Sequence, residues 1–135
     1  MNTQELNELM KESALDAISY VHGTHGKDIT LCQKDLATID LVLTKLAVEH
    51  MQQPISDQDL FTASSILGAF VGELFKTTVG GEWFMDESPS GAPYVVLNYA
   101  GKSFAFASMC FEKIAKTPEV SVARYFELAI GGATQ

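Results

Sequence analysis

Apolar residues recur at steps of three and four from the start of the chain. Leu6, Leu9, Met10, Ala14, Ala17, Ile18 and Val21 predict an amphipathic helix over residues 3–22. Thr3 stands at its cap position, and His22-Gly23 with the following Thr-His-Gly reads as its stop. A second helix is expected over 31–52, with Asp28 or Thr30 as cap and Gln52-Gln53-Pro54 as its end. Its stripe is Leu36, Ile39, Leu43, Leu46, Ala47 and His50 or Met51; Leu41, Val42 and Val48 widen it to most of the circumference, the pattern of a central helix. The third helix opens at Ser56, three residues before Asp59, in a capping-box-like arrangement. It runs to Thr78 and stops at Gly80-Gly81. Leu60, Phe61, Leu67, Phe70, Val71, Leu74 and Phe75 leave it little polar surface, so it too is expected to run through the middle of the domain.

After Gly81 the period changes from 3.6 to 2. Strands are expected over 82–86, 94–98 and 102–105. Residues 87–93 have loop composition, and Ala100-Gly101 makes a turn. Helical spacing returns in Phe106, Met109, Cys110, Lys113 and Ile114. Thr117-Pro118-Glu119 then looks like a helix start, with Val122, Tyr125, Phe126, Ala129 and Ile130 facing the core and Gly131-Gly132 ending the element. The expected fold is a single α+β domain over 1–135. It comprises an N-terminal helical bundle, a three-stranded antiparallel meander, and two C-terminal helices packed on the meander.

Composition narrows the class. Hydrophobic residues make up 47% and charged residues 19% of 135, which excludes a disordered chain. The N-terminus lacks the basic and apolar regions of a signal peptide. The most apolar stretch, Phe61 to Phe75, contains Glu73 and falls short of the roughly 20 residues a bilayer span needs. Cys32 and Cys110 read as reduced thiols, and the expected compartment is a bacterial-type cytoplasm. The net charge of −8 is concentrated in residues 1–60, which hold four basic and ten acidic side chains. With no Lys/Arg cluster, nucleic-acid binding is not expected. Glu5, Glu8 and Glu12 turn outward with Asp16, Asp35 and Glu49. Solubility is the plain reading of that face, and a basic protein partner is compatible with it.

The stretch Leu67-Gly68-Ala69-Phe70-Val71-Gly72-Glu73, followed by Gly80-Gly81-Glu82-Trp83, resembles the L-G-x-[YF]-x-G-E … G-G-x-W pattern of small uncharacterised bacterial domains. Some members of that group resemble immunity proteins of toxin systems. The resemblance runs from the third helix to Ile114; it implies an α+β domain and no catalytic residues. The same residues carry a physical reading. Gly68 and Gly72 lie one turn apart on one face, and each costs about 1 kcal/mol against Ala inside a helix. Another element is therefore expected to approach that face closely. Glu73 is expected at the helix's exposed edge, or paired with an inward donor such as Lys102 or Arg124. Trp83 is expected to anchor strand on helix, its indole N–H bonded to a carbonyl.

Candidates for chemistry are sparse. His22 and His25 are separated by two residues, with Cys32 beyond them. Only His50 and Cys110 remain, and neither has a paired spacing, so no metal site is expected. Ser64, Ser65 and Ser108 lie in helical patterns and form no nucleophile elbow. Gly80-Gly81 lacks the Gly-Lys-Ser/Thr of a phosphate loop. Without a catalytic set, no cofactor is called for. The expected function is a non-enzymatic protein-binding domain, of the immunity type that occludes a toxin. The alternative is a small enzyme or ligand-binding domain with a pocket between the third helix and the meander, lined by Glu73 and a second polar group.

Overall fold

The computed structural model describes residues 1–87 and 94–133. Among these residues five helices and one sheet form in chain order: α1 (Thr3–His25), a 3-10 turn (Gln33–Asp35), α2 (Leu36–Gln52), α3 (Asp57–Thr78), β1 (Glu82–Asp86), β2 (Tyr94–Tyr99), β3 (Lys102–Phe104), α4 (Phe106–Ala115) and α5 (Val122–Ala133). The α+β class and the order of elements are as expected from the sequence. Within the expected 87–93 loop, all but Glu87 lies outside the described residues.

Helix boundaries differ where a side chain elsewhere sets them. α1 starts at Thr3 as expected, but with a different cap. Asn2, not Thr3, is its cap: Asn2 Oδ1 accepts from Glu5 N at 2.8 Å while Glu5 Oε1 accepts from Asn2 N at 3.0 Å. α1 also continues through His22 and Gly23 to His25, and Gly26 closes it in the left-handed conformation. α2 begins at Leu36 because the preceding backbone is held out of the helix. Asp35 Oδ2 accepts from Thr30 N at 2.8 Å and from its hydroxyl at 3.1 Å. Ser56 caps α3 as expected, accepting from Asp59 N at 3.2 Å.

The sheet is an antiparallel β1-β2-β3 meander, with Trp83 opposite Leu97 and Leu97 opposite Phe104. Its second hairpin turns at Ala100 and Gly101, with φ of 52° and 77°. Two successive positive φ values are those of the primed turns that suit strand twist, and Ala100 takes one of them at some strain.

α3 is the central element, flanked by α1 on one side and α4 on the other. Phe70, Val71 and Phe75 on it are fully buried, and Phe75 sits among the rings of Tyr99, Phe104, Phe106 and Phe126. α2 is not buried all round. It packs on α4 and α5 and leaves Leu41, Val48 and Met51 exposed. The two C-terminal helices therefore extend the helical layer, α4 on α3 and α2 and α5 chiefly on α2, rather than lying on the meander.

The start of α5 is the largest departure from expectation. Thr117-Pro118-Glu119 forms a turn, and the helix begins four residues after the proline. Ser121 Oγ accepts from Arg124 N at 3.1 Å, a local cap. Asp40, in the second turn of α2, supplies the rest. Its Oδ1 accepts from Val122 N at 2.7 Å and its Oδ2 from Ala123 N at 3.0 Å and from the Ser121 hydroxyl at 3.2 Å. The carboxylate thus meets both the free N–H groups and the positive dipole end of α5. Beside it the buried ammonium of Lys113 donates to the carbonyls of Pro118 and Val120 and lies 3.8 Å from Asp40 Oδ1. One charge pair thereby joins α2, α4, the 117–120 turn and α5. Gly131-Gly132 does not end α5, which runs on to Ala133.

Asp40→Ala removes three hydrogen bonds and leaves Lys113 without its counter-charge. A loss of about 3 kcal/mol is expected in urea unfolding. Asp40→Asn, which keeps an acceptor, should recover part of it; an Asp40→Ala variant as stable as the parent would show that the pair does not hold α5.

Candidate functional site

Two glycines position the site. A Cβ on Gly68 would run into the backbone of Ala107, and one on Gly72 into the ring of Trp83. Bare backbone at these two positions lets the start of α4 and the indole of β1 seat directly on α3, the close approach expected from their spacing.

Trp83 is 5% exposed and anchors β1 on α3, as its position after the helix stop implies. Its indole partner is a carboxylate rather than a backbone carbonyl: Nε1 donates to Glu73 Oε2 at 2.8 Å. Glu73 is therefore neither at an exposed edge nor paired with Lys102 or Arg124. It is 7% exposed, one residue beyond the glycine that admits the ring. The other candidate binding residues, Glu5, Glu8 and Glu12, lie exposed on α1. Glu5 also closes the helix cap, and Glu8 lies 3.5 Å from the Gln4 amide. The structure brings Glu73 and Trp83 together and leaves the three α1 carboxylates on a separate face.

Next to Trp83 lies a groove of about 600 Å³. α1 contributes Leu9 and Ser13, α3 contributes Phe61, Ser64 and Ser65, and α4 contributes Ala107, Ser108 and Phe111. Met85 and Tyr94 close it from the sheet. A pocket beside α3 and the meander was expected, but Glu73 does not line it; the indole does, with its N–H turned away to Glu73. The rim is apolar and open. Phe61 is 70% exposed, and Leu9, Tyr94 and Phe111 are exposed with it. Phe61, one of the apolar residues that leave α3 little polar surface, lies on the groove flank of the helix rather than inside. Ser64 borders it at 4% exposure, its hydroxyl oxygen closed off from the groove and, among the described residues, without a hydrogen-bond partner. At the sheet end Asp86 bonds the Tyr94 hydroxyl and raises its pKa, chiefly through its charge.

A smaller cavity of about 290 Å³ lies between Tyr20, Leu46, Glu49, Ile55 and Ile66. Tyr20 lines it and meets His25 Nε2 at 3.1 Å. Burial first, and then the charge of Glu49, raises the Tyr20 pKa; burial and Lys45 lower that of His25 against the opposing pull of Glu49.

The groups considered for catalysis are engaged elsewhere. His50 Nδ1 accepts from Ile55 N at 3.0 Å, a local closure after α2. Cys110 is fully buried, and burial, reinforced by the charge of Asp40 against that of Lys113, pushes its thiol up to about 12. A thiol so placed is a poor nucleophile at neutral pH. His22 Nδ1 lies 2.6 Å from Asp28, with both side chains largely exposed. Among the described residues no three His, Cys, Asp or Glu side chains are grouped to hold a metal ion, and no helix is long and apolar enough to cross a membrane.

No protein-family model, curated protein or solved structure matches the chain.

The Trp83–Glu73 bond sets a clear contrast between variants. Glu73→Gln keeps an acceptor for the indole and should alter stability little. Glu73→Ala leaves the buried N–H unpaired beside a new void, and a loss of about 2–4 kcal/mol is expected. Equal stability for the two variants, with an unchanged Trp83 emission maximum, would show that the bond carries no weight.

Proposed function

We propose that this chain is a non-catalytic protein-binding domain that takes apolar side chains of a partner into the groove between α1, α3, α4 and the sheet. The observation that carries this is the rim. Leu9, Phe61, Tyr94 and Phe111 are large, exposed and converge on one concavity. Solvated apolar residues scattered singly are ordinary, whereas a contiguous set around a groove marks an interaction site. Aromatic residues and methionine, here Met85, are also the types enriched at protein interfaces. Occlusion of a toxin, the role attached to the resemblance of the Leu67–Glu73 pattern, is one form of such binding. We place the domain in the cytoplasm, a reading supported by two free cysteines, one of them in the core.

A second reading is supported by the size of the groove. At about 600 Å³ it falls within the range of small-molecule sites, roughly 300–1,000 Å³. A mostly apolar lining with a few hydroxyls would then hold a neutral amphiphile.

Titration with Nile red, a neutral apolar dye, tests the groove itself, with emission from Trp83, the one tryptophan, as donor. The parent protein should bind one equivalent. Ser65→Phe and Ser108→Phe, which fill the groove from positions with room for a ring, should each weaken binding about tenfold, a loss of roughly 1.4 kcal/mol. Undiminished binding in both variants would place the dye elsewhere and overturn the assignment. Saturable binding of a long-chain alcohol at submicromolar concentration would favour the second reading.

A further inference from the structure

Around the axis of α1 the residues change character in order. The buried stripe of Leu6, Met10, Ala14, Ala17 and Val21 faces the core. Ser13 and Leu9 come next and form the groove wall. Asp16, Glu5 and Glu12 follow, all exposed and all within about 60° of Leu9 at 3.6 residues per turn. These carboxylates span roughly 16 Å along α1 at 1.5 Å per residue and flank the stretch from Leu9 to Ser13 that lines the groove. Across the groove, Asp57 stands one turn before Phe61 on the same stripe of α3, and Glu112 lies on the α4 wall, 3.5 Å from Lys116. Among the described residues no lysine or arginine lines the groove.

We propose that the segment this groove receives is a cationic amphipathic helix of a partner protein. Its apolar face lies between Phe61 and Phe111, and the Lys or Arg residues bordering that face run along Asp16, Glu5 and Glu12. The proposal rests on the protein-binding role given to the groove above. The concavity is too small for a whole helix, which is about 10–12 Å across with side chains, but it admits one face of side chains, the mode in which amphipathic helices dock. Acidic residues beside an apolar slot match the charge order of a basic amphipathic helix and oppose an acidic one.

Synthetic helical peptides lacking tryptophan provide the test, read by the change in Trp83 emission. Each has the same Leu/Ala face, and the bordering positions are all Lys, all Gln or all Glu. The Lys peptide should bind at least about tenfold more tightly than the Gln peptide, with the Glu peptide weakest. High salt should slow its association more than it speeds its dissociation. The combined Glu5→Gln, Glu12→Gln, Asp16→Asn variant should lose the preference for Lys while still binding the Gln peptide; Gln at position 5 keeps the capping arrangement. Gln or Glu peptides binding as tightly as the Lys peptide would overturn the charge assignment while leaving the groove as a site. If no peptide binds although Nile red does, the helical occupant is wrong. If neither binds, the groove reading falls with it.

Discussion

The structure depends on how closely other elements approach one face of α3. Helices ordinarily keep 8–10 Å between axes, because side chains stand between them. At Gly68 and Gly72 α3 has no side chain, so the backbone of α4 and the ring of Trp83 occupy that space. This contact sets the position of α4 and the first strand, and with them the meander and the aromatic cluster around Phe75. It costs helix propensity at two interior positions, and buried apolar contact at Leu67, Phe70, Val71 and Trp83 offsets it.

The groove follows from the same constraint. α4 and β1 are drawn onto the glycine face, while α1 packs on the other flank of α3. The space left between them is bounded by Ser64 and Ser65, whose side chains are too small to fill it. Leu9, Phe61, Tyr94 and Phe111 stand exposed at its edge, and the buried Met10, Ser64 and Trp83 line it within.

Local signals made the helices, the strands, the Ser56 cap and the glycine face legible in the sequence, because each is written within a few residues. The elements that were misplaced depend on distant partners. The signal at Thr117-Pro118-Glu119 is genuine by local rules, yet Asp40, some eighty residues earlier, holds α5 open at Val122 instead. Lys113 shared a helical stripe with Cys110 and Ile114, and only the carbonyls of the following turn explain its burial. Glu73 was ambiguous because its donor lies on another element. Phe61 fits the periodicity of a core residue, and nothing in one helix reveals that the neighbouring element stops short of it. The groove needs four elements in place before it exists, so no single segment could announce it.

The central claim is that the bare backbone of α3 is required where the indole lands. Elsewhere in a helix, Gly→Ala gains about 1 kcal/mol from propensity, so the sign of the effect at Gly72 decides the matter. The direct measurement is the unfolding free energy of Gly72→Ala, with the emission and acrylamide quenching of Trp83 recorded on the same samples. The account predicts a net loss of about 1–3 kcal/mol from overpacking, with a red-shifted and more readily quenched indole. A variant as stable as the parent or more so, with Trp83 still shielded, would contradict it.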